Sequence, residues 1–206
     1  MLTVEKTLAS RPRKEKKVPQ HLIYEVMDGK PLYRRGYRDV LRKLKKTEDI
    51  MGASSQQGAV IGYLLRILFA NFDDENFEIL TNETGIHLDK NNNLSGDILI
   101  FSPPLEKLTV HYVNTPPLVN VEVDVSIDLE DLEELEYIRL KTQKLLNFGV
   151  ARVIWIMTFS KTVIVATPNA DWQWMDWSKD VEIWQGVTVN IGAFLRKRGV
   201  DTEGSR

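Results

Sequence analysis

The chain has 206 residues, 43% of them hydrophobic and 27% charged, which is enough for one hydrophobic core and excludes wholesale disorder. Its net charge of −2 excludes a protein that coats nucleic acid by bulk charge alone, and the lack of any cysteine excludes disulfides and thiolate metal sites. The three histidines His21, His87 and His111 are too scattered for a zinc site, and no apolar run approaches the roughly 20 residues of a membrane-spanning helix, so the expected location is the cytoplasm.

Residues 1 to 20 read as a flexible basic leader carrying Lys14, Lys16 and Lys17, and residues 21–200 as a single domain. His21 to Met27 is a short apolar-rich segment closed by the turn signal Asp28-Gly29. From Gln57 to Asn71, Val60, Ile61, Leu64, Leu65, Ile67 and Leu68 recur at helical spacing over a wide face, which predicts a buried helix capped by Ser54 or Ser55. The period then changes. Phe77 to Leu80 and the alternation around Ile86 and Leu88 predict strands, and Asp97 to Phe101 is a strongly apolar strand with an acid at its first position. Leu118 to Val125 predicts the next strand, with Val119, Val121, Val123 and Val125 on one face and Asn120, Glu122, Asp124 and Ser126 on the other. A helix follows from about Leu132 to Phe148, with Gly149 placed as its C-terminal cap. Val153 to Met157 and Thr162 to Ala166 predict paired strands. Two short strands near 181–184 and 187–190 and a helix near 191–198 complete a tail holding Trp172, Trp174, Trp177 and Trp184. Trp172, Trp174 and Trp177 either pack in a C-terminal hairpin or form an exposed aromatic surface.

Charge is unevenly spread. Between Lys30 and Lys46 stand Arg34, Arg35, Arg38, Arg42, Lys43 and Lys45 with Asp39 as the only acid, whereas Asp128 to Glu136 holds acids and no base. The basic run is either a phosphate-attracting surface or a solvated helix face.

Charged residues at core-facing positions carry the chemistry. Asp97 opens a strand otherwise made of Ile, Leu and Phe, and Glu122 and Asp124 share a face of the valine-rich strand. Carboxylates enclosed by helices on both faces of a sheet cost several kcal/mol unless paired or metal-bound. Acids converging from adjacent strands make a hard oxygen site suited to Mg²⁺ or Mn²⁺. Lys141 falls on the inward stripe of Ile138, Leu145 and Phe148, while Lys144 lies on its flank. The alternative is structural: Asp97 as a strand-initiating cap, and Glu122 with Lys141 as a buried ion pair.

Taken together, these segments resemble a known family. Tyr24-Glu25-Val26-Met27-Asp28-Gly29-Lys30, Val60-Ile61-Gly62-Tyr63-Leu64-Leu65, Gly96-Asp97-Ile98-Leu99-Ile100-Phe101, Leu118 to Val123, Lys141, Phe148-Gly149-Val150 and Val153-Ile154-Trp155-Ile156 are similar, in that order, to the Uma-type restriction endonucleases of the PD-(D/E)xK superfamily. The resemblance covers residues 20 to 167. It implies an α/β fold of restriction-endonuclease-like core, a central mixed β-sheet flanked by helices. It also implies a metal site on Asp97 and Glu122, with a catalytic lysine moved to the next helix as Lys141. The chain departs from the family pattern at Gly96 (proline in the motif), Gln57 (often histidine), Leu145 (often tyrosine) and in its acidic insertion from Asp128 to Glu136. Asp124-Val125-Ser126 offers a second motif frame with serine at the lysine position, leaving open whether Glu122, Asp124 or both hold the metal.

The expected protein is a Mg²⁺- or Mn²⁺-dependent DNA endonuclease. Asp97, Glu122 and Lys141 would be its catalytic residues; Asp97, Glu122 and Asp124 its metal ligands, with the Val123 carbonyl completing the shell. Glu25 and Gln57 would stand at the site edge, and Arg34, Arg35, Arg38 and Arg42 would meet DNA phosphates. A homodimer is expected, as nucleases cutting both strands often pair. The rival expectation is a decayed, non-enzymatic binding module on the same fold, acting through protein or nucleic-acid partners.

Overall fold

The alternating valines of the predicted central strand lie at the heart of a mixed eight-stranded sheet. The computed structural model describes residues 18–124, 127 and 129–200. The leader up to residue 17 and the Val125, Ser126 and Asp128 positions lie outside the described residues. The strands are β1 (Ile23–Met27), β2 (Lys30–Tyr33), β3 (Glu78–Asp89), β4 (Asn92–Phe101), β5 (Val119–Asp124), β6 (Arg152–Met157), β7 (Thr162–Ala166) and β8 (Gln173–Asp176). A separate hairpin of β9 (Val181–Trp184) and β10 (Val187–Val189) follows. The helices are α1 (Tyr37–Leu41), α2 (Ser55–Asn71), α3 (Glu134–Phe148) and α4 (Ile191–Arg196).

The sheet runs β2-β1-β4-β5-β6-β7-β8, with β3 paired along β4. Because β3 occupies one edge of β4 from end to end, β1 and β5 share the other: β1 pairs at Asn93, and β5 pairs from Ile98 to Ile100. The sheet therefore forks opposite residues 94–97. Among the described strands only β5 and β6 pair in parallel, joined by α3 as a crossover that antiparallel neighbours do not need.

Alternation along each strand sorts the core into two layers. Val119, Val121, Val123, Ile98, Ile100, Ile154 and Ile156 face α2 and the C-terminal β9–β10–α4 unit. Leu99, Phe101, Val153, Trp155 and Met157 face α3. The same alternation puts Asp97 and Glu122 on the α3 side. Local chemistry fixes the helix ends: the Ser54 hydroxyl accepts the Gln57 N–H at 3.0 Å, and Gly149 ends α3 at a φ of 116°, where a side chain would be strained.

Three features differ from the periodicity reading. The two segments around Leu80 and Leu88 are one long strand, kinked by a bulge in which Asn82 and Glu83 take left-handed conformations. The short α1 and the edge strand β8 lack a strong periodic signal. Of the tryptophans, Trp177 is buried in the core whereas Trp174 is exposed on β8. The two charge runs also meet: Arg38 pairs with Glu130 at 3.3 Å and Asp131 at 3.7 Å, and Glu130 accepts the Gly36 N–H at 3.1 Å. Among the described residues no helix is long and apolar enough to cross a membrane.

Gly96, where the motif has proline, is a packing requirement. A Cβ there would stand 2.2 Å from Asn120 Oδ1 and 2.5 Å from Leu99 Cδ2. We predict that Gly96→Ala lowers stability by about 1–3 kcal/mol, as overpacking does, read as a lower urea midpoint with unchanged slope; an unchanged midpoint would show that Asn120 yields freely.

Candidate metal centre at the fork of the sheet

Where the sheet forks, side chains take over the work of the missing strand pairing. Glu25 of β1 reaches across so that its Oε1 accepts the Ser95 N–H at 2.9 Å and the Ser95 hydroxyl at 3.2 Å. Asp97 of β4 does the same toward β5: its Oδ2 accepts the Val123 N–H at 2.7 Å. Both acids are thereby held by backbone donors at the fork.

Carboxylate oxygens of Asp97, Glu122 and Asp124 lie within 4.8 Å of one another. They open onto a cleft of about 270 Å³ whose wall also includes Tyr24, Arg34, Ser54, Gln57, Glu83 and Ser95. Glu122 is 3% exposed and Asp97 9%, so the cluster sits at the floor of the cleft rather than on open surface. The donor set is all carboxylate, and three hard oxygens at this spacing suit a hard divalent cation rather than a soft metal. Both motif frames meet here, since Glu122 and Asp124 both line the cleft.

Lys141 lies behind this floor. Its ammonium is fully buried and bonds Glu25 Oε1 at 2.8 Å, Glu122 Oε1 at 2.9 Å and the Tyr137 hydroxyl at 3.2 Å. These three bonds use its three hydrogens. Tyr137 in turn donates to Glu25 Oε2 at 2.8 Å, and Asn120 Nδ2 donates to Glu122 Oε1 at 2.8 Å. Glu25, held as a possible edge residue of the site, is thus the counter-ion of Lys141 and is absent from the cleft wall. Lys141 is absent from it too. Gln57 does stand at the edge, and its Nε2 donates to the Val123 carbonyl at 2.5 Å, occupying one lone pair of the oxygen expected to complete a metal shell.

The basic residues divide. Arg34 lines the cleft, whereas Arg35 donates to the Leu129 carbonyl at 3.5 Å and Arg38 faces the acidic segment. Arg42 is exposed beyond the end of α1, and Lys144 pairs with Asp28 at the surface at 2.6 Å.

Four carboxylates (Glu25, Asp97, Glu122 and Asp124) gather around one ammonium, and burial governs the titration of the three that line the cleft. Burial pushes Glu122 up to about 8, against the pull of Lys141. Burial, helped by Asp97, pushes Asp124 up to about 7. Asp97 is also raised by burial, although the Val123 N–H opposes the shift. Burial alone would lower the Lys141 ammonium, but Glu122 and Glu25 outweigh it and hold its pKa well above the ordinary lysine value. Lys141 is therefore a fixed positive charge at neutral pH and no proton acceptor.

No family model and no curated protein matches this chain. Among solved structures the fold is similar to that of a protein from Anabaena variabilis ATCC 29413 described as a putative nuclease belonging to DUF820. The TM-score is 0.60 at 13% identity, over 84% of this chain and 89% of that one. At that identity the likeness shows the class of fold alone, an α/β architecture with a mixed central sheet between helices.

Two predictions arise from the site. A carboxyl raised from its ordinary value near 4 binds more protons in the folded state, so folding stability falls as pH rises from about 4 and levels off only above the 7 and 8 of Asp124 and Glu122. The metal-free protein should melt at a lower temperature at pH 8 than at pH 5.5, and Mn²⁺ should raise the melting temperature more at pH 8, where it need not displace protons. Equal Mn²⁺ shifts at both pH values would contradict this. Lys141→Met should cost about 3–5 kcal/mol by leaving Glu25 and Glu122 without their cation, and adding Glu25→Gln should recover part of the loss in chemical denaturation.

Proposed function

We propose that this chain is a metal-dependent endonuclease hydrolysing DNA phosphodiester bonds, related to the Uma-type nucleases that its sequence resembles. The observation that carries the reading is the convergence of Asp97, Glu122 and Asp124 on one cleft floor, on a fold similar to a protein described as a nuclease. These three would hold Mg²⁺ or Mn²⁺. Bound there, such an ion polarises a phosphoryl oxygen and lowers the pKa of an attacking water.

The chain's own residues prepare the site. The Val123 N–H orients Asp97, and Asn120 with Lys141 orients Glu122. Gln57 pins the Val123 carbonyl, which holds the end of β5 between Glu122 and Asp124. Lys141 acts as a positioning residue, setting the Glu122 carboxylate from behind.

One observation favours the rival reading of a non-catalytic binding module: every hydrogen of Lys141 is already bonded within the protein. The two readings part in a direct assay. With supercoiled plasmid DNA and Mg²⁺ or Mn²⁺, the wild-type protein should nick and linearise the DNA, and Asp97→Ala should lower the rate at least on the order of 10²-fold. Metal binding without cleavage, across DNA forms and both metals, would favour the binding module; absence of both would remove the metal site.

A further inference from the structure

With Lys141 sealed behind the carboxylates, a phosphodiester entering the cleft has to find its positive partner elsewhere. A phosphate anion approaching three carboxylates is repelled, and a single divalent cation compensates only part of that charge. Among the described residues that line the cleft, Arg34 is the only cation.

Its setting suits the task. The residue follows β2, and its backbone pairs with Leu129, which fixes where the side chain leaves the main chain. The guanidinium lies 4.5 Å from the centroid of the Tyr24 ring, a flat support that leaves the N–H edge available. The side chain is 28% exposed, so it stands at the mouth of the cleft, neither sealed nor free in solvent. Its ionic partner there is Glu83, 3.8 Å away with a side chain 69% exposed. An ion pair this long and this wet contributes little, so exchanging Glu83 for a phosphate costs little.

We propose that Arg34 is the phosphate-binding cation of the site. It would donate its planar N–H edge to the non-bridging oxygens of the phosphodiester held over Asp97, Glu122 and Asp124, and Glu83 would compete for it until substrate arrives. The proposal rests on the nuclease reading and gives Arg34 a role distinct from the exposed basic residues of the same run. Guanidinium rather than ammonium is suited here, because its fork matches two phosphate oxygens at once.

Two measurements on the full chain test it. The first is plasmid cleavage in Mn²⁺ by the wild-type protein, Arg34→Gln, Arg34→Lys and Glu83→Gln. Arg34→Gln should lose on the order of 10²-fold in rate while its Mn²⁺ affinity by calorimetry stays within about twofold. Arg34→Lys should recover only part of that loss, and Glu83→Gln should lower KM. The second is binding of a fluorescein-labelled DNA duplex in the Asp97→Asn background, read by anisotropy against salt concentration. There Arg34→Gln should reduce the slope of log affinity on log salt by about one phosphate contact, and Arg34→Lys should restore it. A purely structural role would leave that slope unmoved. Wild-type cleavage with Arg34→Gln equally fast and equally salt-dependent overturns the assignment and leaves the nuclease reading intact. A wild-type protein that binds no Mn²⁺ and cuts no DNA overturns both.

Discussion

The structure turns on a charge imbalance that one ammonium cannot settle. Lys141 is buried between Glu25 and Glu122, and this pairing joins β1, β5 and α3, three elements distant in the chain. Removing one charge from a buried set leaves the others without compensation, so each member depends on the rest. Yet the set is short of positive charge. Asp97 and Asp124 add two more carboxylates beside Glu122, and burial raises the proton affinity of all three. In the proposed reading a divalent ion would supply the missing charge in a way that a further buried lysine would not, because the carboxylates can be reached from the cleft.

The fork of the sheet explains why the imbalance sits there. A regular sheet would pair the backbone of β4 with one neighbour along its length and bury apolar side chains on both faces. Two strands meeting the same edge leave a gap, and polar side chains must answer the unpaired N–H groups. Glu25 and Asp97 each answer one while presenting charge to the gap. The geometry that positions the acids is therefore the same geometry that makes them necessary to the fold.

Much of this was legible in the sequence because it follows from periodicity. The valine alternation of β5 placed Glu122 and Asp124 on a common face, and the stripe of α3 placed Lys141 inward. What escaped were facts of tertiary pairing. Nothing in local spacing joins Glu25 to Lys141, more than a hundred residues later, as its counter-ion. Nor does composition distinguish Arg34 from Arg35 and Arg38: all stand in one basic run, but the docking of the acidic segment draws Arg38 away and leaves Arg34 in the cleft. The Gly96 departure became intelligible only beside Asn120, whose amide fills the space of a Cβ. The short α1 and β8 gave too few residues for a period to register.

The most direct measurement of the central claim is the anomalous scattering of a crystal soaked in Mn²⁺ at pH 8. The account predicts one strong peak within coordination distance of Asp97, Glu122 and Asp124, with Lys141 still bonded to Glu25 behind them. A clean map at the fork, or manganese seated only at surface carboxylates, would contradict it.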